Sequence, residues 1–235
     1  MKQLSIKLSI ILPTYNEAGN IIPLIESIRS NLPGKSYEII ISDDDSPDGT
    51  GNLAVKTYHN ERNIKVIIRK KDKGLAYAIA DGISKSRGEW IAVMDTDFNH
   101  DPQLLPLMLS LTGKYDLVIG SRYVKGGGMA DPLRNLFSLW YNRLVRFVLR
   151  LPTNDNLCGY FMIRRRILKG LPKDKIFSGY GDYFIRLLFY LKKQKIRIIE
   201  IPAFYRERFS GKSKSRFLPM LINYTRTVVS LMINR

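Results

Sequence analysis

The stretch VMDTDFNHDP, residues 93–102, carries two carboxylates two positions apart, Asp95 and Asp97, with Asp101 close behind. All three follow the apolar run Trp90–Met94. Oxygen donors at this spacing suit a hard divalent cation such as Mg2+ or Mn2+. Such an ion takes one or two carboxylates and completes its shell with water or substrate phosphate. Held there, it neutralises a diphosphate leaving group. A second acidic group, Asp43–Asp45 in SDDDSPDGT, ends another apolar run, and Tyr15 ends a third. His59 and His100 are the only histidines and Cys158 the only cysteine, which excludes a Cys/His zinc pattern and an intramolecular disulfide. With no histidine near it in sequence to activate its thiol, Cys158 reads as a small buried residue, and a lone thiol fits a reducing compartment.

These side chains need a scaffold that brings strand ends together. Apolar runs over 8–15, 37–44, 64–70, 89–95 and 115–123 predict five strands. Helical patterns fall between them. One opens at Asn16 and Glu17 and runs to about Ser30; a second starts after the turn at SPDGT, with Ser46 as N-cap and Pro47 at the first helical position. Others cover 73–86, with Leu75, Ala78, Ile79 and Ile83 on one face, and 102–111. This alternation predicts an α/β fold with a mostly parallel, Rossmann-like sheet and helices on both faces. Ligands of such sheets bind outside the carboxyl ends of the strands, where Tyr15, Asp43–Asp45, Asp95 and Asp97 all fall. Beyond Tyr123 the rhythm changes. A loop is expected at 125–132, a long amphipathic helix with Arg134, Arg143, Arg146 and Arg150 at 133–151, and a strand at 159–165. A helix at 181–193, a strand at 196–208, a polar loop at 209–215 and an amphipathic helix at 216–234 complete the chain.

The 235 residues carry net charge +17, and the acids crowd into the first half. From Tyr183 to Arg235 there are 12 Lys or Arg against Glu200 and Glu207. That imbalance points to a phosphate-bearing or polyanionic partner. No run of about 18 apolar residues predicts a transmembrane helix, and the N-terminus shows no signal peptide.

The segments LPTYNEAGNI, SDDDSPDGT, KGLAYAIADG, VMDTDFNHDP and IGSRYVKGG together resemble family 2 glycosyltransferases of the GT-A fold. Within that family they are most similar to dolichol-phosphate mannose synthases and polyprenyl-phosphate glycosyltransferases. The likeness runs from about Leu8 to Lys214 in the family's motif order. It implies one GT-A domain over 1–235, with a nucleotide-binding half (1–123) and an acceptor half (124–235) that carries membrane-facing helices. It implies inverting transfer of a sugar to dolichyl or polyprenyl phosphate, with mannose from GDP-mannose the first choice and glucose from UDP-glucose the alternative. The implied cofactor is Mg2+ or Mn2+. The implied partners are the nucleotide sugar, the lipid phosphate, a membrane surface and a membrane-anchoring subunit; the implied location is peripheral, on the cytoplasmic face. Many members carry transmembrane segments after this domain. A chain ending at Arg235 is expected to be a soluble form with a membrane partner, or one lacking those segments.

Residue by residue, the resemblance places Pro13, Tyr15 and Glu17 on base and ribose and Asp44 on the base. Lys73, Gly74, Asp95 and Thr96 would lie along the nucleotide. Asp95 and Asp97 would hold the metal, with Asn99 where members often carry Gln. Arg122, Arg134, Ser138 and Lys214 would meet the acceptor phosphate. Arg208 and Lys214 match the R-x-x-G-x-S-K loop that closes over the phosphates. Asp95, Asp97, Arg122 and Arg208 are thus the residues on which the chemistry is expected to rest. Two positions depart from the pattern. Cys158 stands where Ser is usual, and the helix at 181–193 lacks the usual acid, offering Asp182 earlier.

Three other readings explain less. A haloacid-dehalogenase-type phosphatase uses its D-x-D after the first strand, whereas this one follows the fourth. A nucleotidyltransferase would show a Gly-rich loop after strand one, and PTYNEAGN has a single Gly. An RNA-binding module accounts for the charge but not for carboxylates at strand ends, so no nucleic-acid partner is expected.

Overall fold

The structure, a computed structural model, describes residues 6–206, Phe209 and 217–233. Five strands open the chain: β1 (Leu8–Thr14), β2 (Tyr37–Asp43), β3 (Ile64–Ile68), β4 (Trp90–Val93) and β5 (Leu117–Ser121). Between them lie α1 (Ala18–Asn31), α2 (Thr50–Tyr58), α3 (Leu75–Lys85) and α4 (Leu105–Ser110). The second half adds β6 (Gly128–Met129), α5 (Pro132–Leu149), β7 (Phe161–Arg164), α6 (Arg165–Lys169), α7 (Lys173–Ile176), α8 (Tyr183–Leu191), β8 (Ile198–Pro202), β9 (Phe204–Tyr205) and α9 (Phe217–Ile233).

Seven strands form one sheet in the order β3-β2-β1-β4-β7-β5-β8. All pairs are parallel except those of β7, which runs antiparallel to β4 and β5. The chain moves outward from β1 to β3, then crosses back to place β4 on the other side of β1. This reversal opens a crevice beyond the carboxyl ends of β1 and β4.

Every residue of β1 is buried, because both faces of the sheet are covered. Alternate residues feed two cores. Ile11, Ile40 and Val93 face a cluster built with α3, α5, α8 and α9, while Ile10, Leu12 and Ile41 face one built with α1, α2 and α4. Each such side chain contributes about 1.5–3 kcal/mol through burial. Gly82 lets α3 lie against β1, since a methyl there would collide with Ile11.

Three expectations are corrected. The second helix starts at Thr50, with Gly49 and not Ser46 as its N-cap. Ser46 is engaged elsewhere: its N–H and Oγ donate to Asp43, and its Oγ accepts from the N–H of Asn16. The strand expected over 196–208 divides around Ala203, where β8 leaves β5 and β9 pairs with β6; residues 207–208 lie outside the described residues. The loop expected at 125–132 therefore contains a strand, β6.

Helices α5 and α9 pack together, with the Tyr141 and Thr225 hydroxyls 3.2 Å apart. On α9, Tyr224, Val228 and Leu231 are buried, whereas Leu218, Ile222, Val229, Met232 and Ile233 are exposed. Among the described residues no helix is long and apolar enough to cross a membrane.

Candidate functional site

A cavity of about 1300 Å³ lies at the carboxyl ends of β1, β2 and β4 and continues between α5 and α9. Pro13, Tyr15, Glu17, Asp44, Lys73, Gly74, Asp95, Thr96, Asp97, Asn99, Arg122, Arg134 and Ser138 all line it. Residues far apart in sequence are thus brought onto one surface. Arg208 and Lys214 lie outside the described residues.

At one end the two neighbouring aspartates divide their work. Asp43 turns away and pins the loop through Ser46. Asp44 faces the cavity, with Oδ1 held by Arg69 and Oδ2 accepting from the N–H of Gly74 at 2.6 Å. Arg69 is buried and also donates to Asp81 (2.6 Å) and to the carbonyl of Asp72 (2.8 Å). It fixes the carboxylate that the cavity presents. Sequence reasoning missed Arg69, which reads there only as the polar end of a strand. Lys73 pairs with Asp45 at 3.3 Å, both about half exposed. Glu17 is the N-cap residue before α1, its N–H donating to Thr50 Oγ1 (2.8 Å) and its carboxylate accepting from Asn20. Tyr15, 45% exposed, lines the same end of the cavity.

In the middle, Asp95 and Asp97 follow the end of β4. Asp97 accepts from the Asn99 backbone N–H (3.1 Å) and from Asn99 Nδ2 (2.7 Å). Phe98, between them, takes the left-handed conformation, φ +66°, that this tight turn requires. Asn99 therefore steadies Asp97, and its Oδ1 is the oxygen it can add to a ligand set. Among the described residues no group of three or more His, Cys, Asp or Glu gathers to hold a metal. Two carboxylates with an amide oxygen still fit a hard divalent ion that draws its remaining ligands from substrate oxygens. Beside them, the Phe209 N–H donates to the Asp97 carbonyl (3.2 Å), and the Phe209 ring rests on Phe98 with centroids 5.2 Å apart.

His100 sits directly beneath, wholly buried. Its Nδ1 accepts from the Asp95 N–H (2.8 Å), and its Nε2 donates to the Cys158 carbonyl (3.1 Å). Burial lowers its pKa to about 4, so the ring is neutral with the proton on Nε2. The only sequence signal for it was its place five residues beyond Asp95.

At the far end the structure revises Arg122. Its guanidinium is not a fork open to a phosphate: Nε and Nη2 each donate to the fully buried Asp155 at 2.7 Å. Its face also stacks on Tyr205, 4.8 Å from the ring centre. Burial opposes the charge, but Asp155 beside it holds the pKa well above that of an ordinary arginine. Among the described residues its Nη1 makes no hydrogen bond and remains its contribution to the cavity. Arg134 and Ser138 lie one turn apart on α5, and Arg206 lines the same wall, 3.4 Å from Asp101. Cys158 is buried, which pushes its thiol well above the usual range, the environment of a small packed residue. Asp182 is outside the cavity lining; it accepts from Arg186 and from Thr227 Oγ1 (2.8 Å), bracing α8 against α9. Beyond Arg134 the wall turns apolar, with Phe137, Trp140, Leu144, Met220 and Leu221.

Residues 9–171 match the family described as Glycosyl transferase family 2. A dolichol-phosphate mannosyltransferase of Pyrococcus furiosus is 33% identical over 232 residues, 96% of this chain and 64% of that protein. An undecaprenyl-phosphate mannosyltransferase of Micrococcus luteus is 34% identical over 210 residues, 87% of this chain and 85% of that protein. The chain thus spans under two thirds of the Pyrococcus relative and most of the Micrococcus one. Among solved structures, glucosyl-3-phosphoglycerate synthase of Mycobacterium tuberculosis, in complex with Mn2+, uridine diphosphate and phosphoglyceric acid, superimposes with a TM-score of 0.72. It covers 97% of this chain and 78% of that one at 19% identity, a likeness of fold.

Proposed function

Because the chain belongs to glycosyl transferase family 2, we propose that it transfers mannose from GDP-mannose to a polyprenyl phosphate, inverting the anomeric centre. The observation that carries this reading is the continuity of the cavity. It runs from Asp44 and Tyr15, past Asp95 and Asp97, to arginines and then an apolar trough. A nucleotide, a diphosphate, a second phosphate and a hydrocarbon chain would be accommodated in that order.

The nucleotide base would stack near Tyr15 and donate to Asp44. An ionised carboxylate only accepts, so the base edge must carry N–H groups. Guanine presents two neighbouring ones and uracil one, so Asp44 accepts from either base, and GDP is favoured here by the likeness to mannosyltransferases. Asp95 and Asp97, with the Asn99 oxygen, would hold the Mg2+ or Mn2+. When bound, the ion offsets charge on the departing diphosphate. Arg134, Arg206 and the Nη1 of Arg122 would draw the acceptor phosphate beside the anomeric carbon. A phosphate dianion is already nucleophilic near neutral pH, so the residues position and neutralise, and no strong base is required. The carbon–oxygen bond to the diphosphate breaks as that to the acceptor phosphate forms from the opposite face.

The apolar stripe on α5 would meet the bilayer that holds such an acceptor. Leu133, Leu136, Phe137, Trp140, Leu144 and Phe147 are all exposed, beside Arg143 and Arg150. The protein would then work peripherally at the cytoplasmic face, and a membrane-anchoring subunit remains part of this reading. The test is incubation of labelled GDP-mannose, UDP-glucose and other sugar nucleotides with polyprenyl phosphate and Mg2+, followed by organic extraction. Mannose label in the lipid phase is expected; label from UDP-glucose alone would replace the donor, and none from any donor would sink the reading.

A further inference from the structure

We propose that His100 is a positioning residue for the D-x-D carboxylates, setting their approach to metal and diphosphate through two hydrogen bonds of one imidazole. The inference rests on the function proposed above and concerns a residue that touches neither substrate nor ion.

The backbone dictates the need. Met94 makes the last ladder bond of β4 to β1, its N–H donating to the carbonyl of Ile11. The next N–H, that of Asp95, has left the sheet and would be orphaned without another acceptor. His100 Nδ1 supplies it at 2.8 Å. The chain must turn back within five residues for this bond to form, and that turn carries Asp95, Asp97 and Asn99. The bond therefore fixes where the strand stops and where its carboxylates point.

The ring is itself held on every side. It stacks on Tyr160, with centroids 4.8 Å apart and planes 9° from parallel, and meets the edge of Tyr205 at 5.0 Å. Nε2 donates to the Cys158 carbonyl, which also accepts from Tyr205 Oη at 2.9 Å. Tyr160 Oη donates to the carbonyl of Asp101, closing the far end of the turn. The aromatic cage joins the carboxylate turn, the 155–160 segment and β9 into one unit. Tyr205 also carries the Arg122 guanidinium. A group that accepts on one side and donates on the other, at this separation, is what the site requires. Phe has the shape without either function; Asn reproduces the Nδ1 acceptor; Gln reproduces the Nε2 donor.

The experiment measures binding. GDP and UDP affinities of the full chain are determined by calorimetry with and without Mn2+, for wild type, H100F, H100N and H100Q, with folding checked by near-ultraviolet circular dichroism. In folded H100F the Mn2+-dependent gain in nucleotide affinity should fall about ten- to a hundredfold, as when a partner of a metal ligand is removed. Metal-free affinity should stay within about twofold, and H100N should recover much of the gain, since one hydrogen bond returns. If H100F does not fold, H100Q, which keeps the donor but loses the acceptor for Asp95, replaces it with the same expectation. An undiminished Mn2+ gain in either folded variant overturns the role of His100 alone. No Mn2+ gain in the wild type overturns the metal reading of the site and this inference with it.

Discussion

Asp97 is buried in the carboxylate turn, bonded to Asn99 and outside both apolar cores, so its removal should cost chemistry more than the fold. Asp97→Ala is expected to reduce sugar transfer about a hundredfold or more, the scale of lost metal stabilisation of a leaving group. Its thermal midpoint should stay near wild type, and excess EDTA should silence the wild type equally; transfer undiminished in EDTA would remove the metal from the scheme. Arg122 should behave in the opposite way. Arg122→Met leaves the Asp155 carboxylate buried without its partner, a loss of about 3–5 kcal/mol in denaturant unfolding. Stability close to wild type would show that Asp155 finds other donors. The pairing joins residues 33 positions apart. Sequence marks both as polar residues near strand ends, but which charge meets which depends on how β5 lies beside the 155–160 segment. Arg122 therefore reads in sequence as a free phosphate ligand, while in the fold most of its fork is spent on Asp155.

Among the elements, the strands with both faces covered were the legible ones. β1, β2, β4 and β5 are mostly apolar runs because helices flank the sheet on each side, and the buried Ser9 and Glu38 within them are paired with each other. β6 and β9 are two residues each, too short to leave a periodic trace. The N-terminus of α2 misleads for a different reason: Ser46 has the chemistry of a cap, but Asp43 has already claimed it. Helix α5 was expected as an amphipathic element, and its unusual feature is that apolar side chains face outward, with Trp140 62% and Phe147 84% exposed. If that face enters a bilayer, the pair W140A and F147A should weaken binding to vesicles. Burying each aromatic ring is worth about 1.5–3 kcal/mol, so the loss should exceed tenfold. Nucleotide affinity in solution should not change; unaltered sedimentation with vesicles would assign the stripe to a protein partner.

For the molecule as a whole, the charge of +17 is spread unevenly around a cavity floored with acids. Long-range attraction to an anionic surface is screened over about 8 Å at physiological salt. Binding to vesicles rich in anionic lipid should therefore weaken steeply as salt rises, while binding to neutral vesicles, governed by apolar contact, should hardly respond. The same salt response on both vesicle types would show that the excess charge serves another partner.

The antiparallel β7 also sets an order of assembly. Strands β1 to β4 have all their neighbours in the first half except on one flank of β4, which stays bare until Phe161–Arg164 arrives. β5 is synthesised earlier than β7, yet it pairs only with β7 and β8 and must wait outside the sheet. A nascent chain on the ribosome would hold its future carboxylate turn on an open edge, the kind that recruits stray strands. Pairing of β7 with β4 covers that edge and brings Cys158 to His100 in the same movement, so the strand that shields the open flank also completes the underpinning of the site.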